Sequence, residues 1–152
     1  MTEKTVQFGH TNLIAADWRR LADFYIKVFG CIPVPPERDL AGDWLERATG
    51  ISGARLRGIH LRLPGYGEFG PTLEIFQYES ELEKPPPAAN RPGYGHIAFK
   101  VKDVSAMRAA VLAAGGCEFG EEVTASIAGA GTIHFVYVAD PEGNLIELQH
   151  WI

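Results

Sequence analysis

Two histidines and two glutamates carry the chemistry in this 152-residue sequence. His10 and His96 follow a glycine in the pairs Gly9-His10 and Gly95-His96, 86 residues apart. Glu74 and Glu147 lie inside short alternating apolar runs, Thr72-Leu73-Glu74-Ile75-Phe76 and Leu145-Ile146-Glu147-Leu148-Gln149. Strand side chains alternate faces, so the apolar neighbours tell which way each residue points. Leu73 and Ile75, Ile146 and Leu148, and Ile97, Phe99 and Val101 mark one face, and the four polar residues project from the other. A carboxylate on an enclosed sheet face is costly unless it is paired or bound to a cation. Neutral imidazoles and anionic carboxylates together suit Zn, Ni, Co, Mn or Fe(II), with a position left for water or substrate. Taken singly, a strand His or Glu is more often a solvated surface residue. The metal reading gains from the symmetric placement of all four.

Elements that could position such a set repeat along the chain. At an offset of 86, Gly9-His10, Asp17 and Gly30-Cys31 fall on Gly95-His96, Asp103 and Gly116-Cys117. Between them, Trp18, Leu21, Tyr25 and Val28 align with Val104, Met107, Val111 and Ala114, each set on one helical face. Asp17 and Asp103 stand where N-caps belong, and Gly30 and Gly115-Gly116 where helices stop. Each half reads as strand, helix, three strands. The first half predicts a strand over 6–14, a helix over 17–29, and strands over 31–35, 56–63 and 71–78. The second predicts a strand over 94–101, a helix over 103–114, and strands over 117–123, 131–138 and 144–150. The expectation is an α+β chain of two βαβββ modules, 6–80 and 94–152, within one domain over 1–152. A proline-rich linker over 81–93, containing Glu83-Lys84-Pro85-Pro86-Pro87, joins them. Residues 37–50 are extra, and Leu40, Trp44, Leu45 and Ala48 mark one side of a short helix there, a candidate lid with Trp44 as its cap.

Composition narrows the function classes. The net charge of −5 argues against nucleic acid or an anionic membrane as partner. No apolar run nears the roughly 18 residues of a membrane span. Residues 1–9 lack a basic-then-apolar signal layout, and two cysteines form no disulfide framework, so a cytoplasmic protein is expected. Cys31 and Cys117 are expected as buried structural thiols. The 17 glycines and 10 prolines imply many tight turns between short elements.

The chain resembles the vicinal oxygen chelate superfamily, which includes glyoxalase I, methylmalonyl-CoA epimerase, extradiol dioxygenases and bleomycin- or fosfomycin-resistance proteins. The likeness rests on Gly9-His10, Phe24-Tyr25-Ile26-Lys27-Val28-Phe29-Gly30, Leu73-Glu74-Ile75, Tyr94-Gly95-His96-Ile97-Ala98-Phe99, and the run from Asp140-Pro141-Glu142-Gly143-Asn144 to Leu148. The resemblance implies paired βαβββ modules curling around a metal, with His10, Glu74, His96 and Glu147 at the four ligand positions. It implies one divalent metal per site, a homodimer, and a site formed either within a chain or between swapped chains.

A Glu at the second ligand position is similar to glyoxalase I and the epimerase, and not to a two-His-one-carboxylate ring-cleaving Fe(II) dioxygenase. In those branches the metal stabilises an enediolate while a base moves the proton α to a carbonyl. Glu74 and Glu147 are the candidate catalytic bases, one removing and one returning a proton. A non-catalytic, antibiotic-sequestering module is the competing reading. Ile14 and Tyr78 stand where glyoxalase I places its glutathione-holding Arg and Asn, which argues against glutathione. The expected substrate is a small oxo or hydroxy acid or its thioester. Candidate substrate contacts are His60 and Arg62, which alternate against Ile59, Leu61 and Leu63, together with Tyr78, Phe135 and Tyr137. His134 and His150 fall on the opposite parity.

Overall fold

A computed structural model describes residues 5–152 and divides the chain into two compact units, 1–82 and 83–152. The first contains β1 (His10–Ile14), α1 (Trp18–Phe29), β2 (Ile32–Ala41), α2 (Asp43–Thr49), β3 (Arg55–Arg62) and β4 (Thr72–Tyr78). Its sheet has the order β1-β4-β3-β2, with β1 parallel to β4 and the other neighbours antiparallel. The second contains β5 (Ile97–Lys100), α3 (Val104–Ala113), β6 (Cys117–Glu118), β7 (Val123–Ile127), β8 (Gly131–Ala139) and β9 (Leu145–Trp151). Its order is β5-β9-β8-β6, with β7 also paired to β8. The fold is α+β, two open sheets built on the βαβββ plan.

Local chemistry sets both long helices. The Asp17 carboxylate accepts from the Arg20 N–H at 3.1 Å, and the Asp103 carboxylate accepts from the Ala106 N–H at 2.9 Å. Each satisfies an N–H that the helix itself leaves unpaired. α1 stops at Gly30, whose φ of 69° is a left-handed conformation open to glycine without strain. Its apolar side, Trp18, Leu21, Ala22, Phe24 and Tyr25, is buried. It packs on β3 and β4, where Ile59, Leu61, Leu73 and Ile75 are 8% exposed or less. In the second unit Val104 and Val111 of α3 close over β8 and β9, whose Val136, Val138, Ile146 and Leu148 are fully buried. Each sheet therefore spends one face on a helix and leaves the other for the polar residues.

The other face of the first sheet is only partly open. Leu45 of α2 packs with Ala54, Leu56 and Phe76, and Leu40, Ile51 and Tyr78 border them. The short helix expected within 37–50 is α2, and it does not include Leu40. Leu40 belongs to β2, which runs to Ala41 because it pairs with Leu56 of β3. Trp44 is 53% exposed while Leu45 turns inward, so the helix is a seated cover without a tryptophan cap. Gly58 fits the close approach of β3 to β4: a Cβ there would lie 2.0 Å from the Ile75 carbonyl oxygen.

Other expectations need correction. β1 begins at His10 rather than at residue 6, and β5 begins at Ile97, so His96 sits just ahead of its strand. The single strand expected over 117–123 is two pieces, β6 and β7, both along β8. β2 shows the same discontinuity as a register shift between Val34 and Arg38. Cys31 is buried, and burial pushes its thiol up to about 11, but Cys117 is exposed. Residues 81–93 hold neither helix nor strand. Lys84 donates from Nζ to the Glu142 carbonyl at 2.8 Å and to Asn144 Oδ1 at 2.6 Å, tying this segment to the β8–β9 turn.

That turn is organised by Asp140, 1% exposed. Its carboxylate accepts from the N–H groups of Glu142 and Asn144, both at 2.9 Å, and from Asn144 Nδ2 at 2.7 Å. Asp140→Ala strips all three donors of their acceptor and should cost about 2–3 kcal/mol, read as a melting temperature lowered by roughly 5–10 °C. A disulfide-exchange reagent at pH 8 should label one thiol of the native protein, Cys117, and reach Cys31 only on unfolding.

Candidate metal centre

Glu74 lies in the middle of β4, directly opposite His60 of β3 and beside Asn12 of β1. All three project from the sheet face away from α1, because Leu73, Ile75, Ile59 and Leu61 take the other parity. The Glu74 carboxylate is largely desolvated, its side chain 12% exposed. Its Oε2 lies 2.6 Å from His60 Nε2, and its Oε1 lies 3.5 Å from His10 Nε2. Oε1 also accepts from Asn12 Nδ2 at 2.9 Å. The His10 and His60 rings meet edge to face, centroids 5.4 Å apart. One ligand atom from each of His10, His60 and Glu74 lies within 4.8 Å of the other two. On the far side of His60, Nδ1 is 3.0 Å from Thr72 Oγ1, and the Phe76 ring closes the wall at 6.0 Å. Burial pushes the His60 imidazole below its ordinary pKa, against the pull of Glu74, and Arg38 and His10 add to the lowering.

The second unit repeats the arrangement with one change. Glu147 of β9 lies opposite Tyr137 of β8, as Glu74 lies opposite His60. Its Oε2 is 2.9 Å from His96 Nε2, and Gln149 Nε2 donates to Oε1 at 3.4 Å. The Tyr137 ring meets His96 edge to face at 5.0 Å and Phe135 at 5.9 Å. Burial, then the Glu147 charge, holds the Tyr137 hydroxyl protonated beyond its ordinary range. Both units thus present an imidazole–carboxylate pair on the face opposite their helix.

The residues expected from sequence sort as follows. His10 with Glu74, and His96 with Glu147, form the two pairs. His60 joins the first pair as a direct neighbour of the carboxylate. Arg62 is half-buried two residues farther along β3, on the same face. Tyr137 lines the second pair, and Phe135 packs against Tyr137. Tyr78 instead borders the apolar cluster under α2. His134 and His150 lie on the α3 face, where His134 Nε2 meets Glu122 at 2.8 Å and His150 Nδ1 meets the Val101 carbonyl at 3.0 Å. Asn12 was not among the expected residues, although its place two after His10 puts it on the same strand face.

The donor set fits a divalent cation. Imidazole Nε2 atoms and a carboxylate oxygen converge, and the other imidazole nitrogen of His60 meets a hydroxyl, as in metal sites whose ligands are held from behind.

The family model described as the glyoxalase/bleomycin resistance protein/dioxygenase superfamily matches residues 7–148. The chain belongs to this superfamily. A glyoxalase family protein from Bacillus cereus has a similar fold, at TM-score 0.81 and 17% identity over 99% of this chain and 97% of that one. A structure from the mobile metagenome of V. Pseudocholerae is 28% identical at TM-score 0.55, covering 100% and 99%. A fosfomycin resistance protein from Listeria monocytogenes, complexed with Mn(II) and sulfate ion, is 14% identical at TM-score 0.54, covering 99% and 95%. No curated protein matches the sequence. Superfamily proteins bind small molecules, commonly hold a divalent metal and are often dimers; many are metal-dependent enzymes and others are non-catalytic.

Asn12→Ala removes a donor from a desolvated carboxylate while leaving the two imidazoles. It should cost about 1 kcal/mol in the metal-free protein, read as a melting temperature lowered by roughly 2–4 °C.

Proposed function

We propose that this protein is a divalent-metal-dependent lyase or isomerase of the glyoxalase I or methylmalonyl-CoA epimerase type, acting on a small oxo or hydroxy acid or its thioester. The observation that carries the reading is the pair of desolvated glutamates, each against a histidine, at matched places in two repeated units. His10, Glu74, His96 and Glu147 would hold the metal, whose role when bound is to polarise a substrate carbonyl and so acidify the adjacent C–H.

The chain's own groups move the proton. Glu74 takes the α-proton onto an oxygen while Glu147, entering the cycle protonated, returns one to the neighbouring carbon in the glyoxalase type or to the opposite face of the same carbon in the epimerase type, or the reverse; proton exchange with solvent then resets both carboxyl groups. His60, Asn12 and Gln149 fix the carboxylate orientations through the contacts they make. Phe76 and the cluster under α2 exclude water from one end of the first pair. Arg62, on the same face as His60, would meet a substrate carboxylate. Phe135 and Tyr137 would pack against the substrate's apolar part.

Metal analysis of the purified protein should find a bound divalent ion, and Ni, Co, Mn or Zn should raise the melting temperature. Screening α-oxo, α-hydroxy and acyl-CoA compounds in D2O should reveal deuterium entering α to the carbonyl. Glu74→Gln and Glu147→Gln should each lower that exchange at least about 100-fold, in keeping with loss of a general base. Metal binding without exchange in any compound would support a binding module, and no metal response at all would overturn the metal reading.

A further inference from the structure

Resting on that reading, we infer that His60 is itself a metal ligand, so that the first unit supplies three donors: His10 Nε2, His60 Nε2 and a Glu74 oxygen. His60 faces Glu74 directly across the β3–β4 ladder, and its ring is held from behind by Thr72. With Nδ1 engaged by the Thr72 hydroxyl, Nε2 is the nitrogen left for the site, 2.6 Å from a carboxylate oxygen. In the tautomer whose Nδ1–H donates to the Thr72 hydroxyl, the Nε2 lone pair faces the carboxylate, and a divalent cation is what these two donors would share. Ligand atoms around a tetrahedral divalent ion sit about 3.3 Å apart for bonds of roughly 2.0–2.1 Å. His60 and Glu74 need to part by only about 0.7 Å to reach that spacing.

The second unit supplies the control. At the matching place opposite Glu147 stands Tyr137, whose ring also meets the unit's histidine edge to face. The fold therefore accepts a phenol as readily as an imidazole there, and nothing in strand pairing requires a histidine at 60. The two units are unequal as a result. Two imidazoles and a carboxylate converge in the first, against one imidazole and one carboxylate in the second. Three converging protein donors make the first unit the principal anchor of the metal.

Affinity alone does not test this, because a residue that only orients a ligand also costs about 10–100-fold when removed. Counting imidazoles does. The full chain is loaded with Cu(II), and pulsed EPR counts the coupled imidazole nitrogens, while Co(II) titration gives affinity. The wild type should show three imidazoles, from His10, His60 and His96. His60→Gln, and His60→Tyr, which copies the residue of the second unit, should each show two, with Co(II) binding weakened at least tenfold. His96→Gln should still show two, from His10 and His60. A wild type with two imidazoles, unchanged in His60→Gln, overturns the role of His60 and leaves the four-ligand site standing. A wild type that binds neither ion removes both. The wild-type and His96→Gln counts decide the question even where both His60 variants fail to fold.

Discussion

The structure of the first unit turns on one constraint: the carboxylate of Glu74 is held out of water on the face of a sheet. A charge in that position must be answered by donors or a cation, and the surrounding elements are arranged as that answer. β1 lies parallel to β4 in the register that brings Asn12 beside Glu74 and His10 within 3.5 Å of it. β3 lies antiparallel in the register that sets His60 opposite. α1 takes the other face, so the apolar residues flanking Glu74 never compete for the site. Gly58, two residues before His60, lets β3 approach β4 closely enough for the imidazole to reach the carboxylate. Shifting β3 by one residue would turn His60 toward α1 and leave Glu74 facing Ile59 or Leu61.

Much of this was legible because two periodicities were clean. The i, i+3, i+7 spacing of Trp18, Leu21 and Tyr25, closed by Asp17 and Gly30, fixes α1 to within a residue. The alternation around Glu74 and Glu147 assigns the polar face before any pairing is known. What alternation does not supply is register. His60 reads as a residue on the right face, but its position opposite Glu74 depends on the loop over 63–71, whose length and several glycines admit more than one pairing. Leu40 was drawn to the helix because its spacing to Trp44 suits one. In the structure its contact with Leu56 across β2–β3 wins, so propensity yields to a cross-strand partner. The break between β6 and β7 was hidden for a related reason: Phe119-Gly120-Glu121-Glu122 carries no breaker strong enough to mark the end of a two-residue strand.

Duplication places the same pair of residue types in both units, but the environments differ. Glu74 is flanked by an imidazole and an amide, and one end of its site is sealed by the Phe76 cluster. Glu147 is flanked by His96, a long contact from Gln149 and the phenol of Tyr137. A phenol whose ionisation is suppressed donates a proton in a hydrogen bond and does not coordinate a metal as a neutral imidazole does. The two glutamates are therefore chemically distinct although they descend from the same position in the repeat.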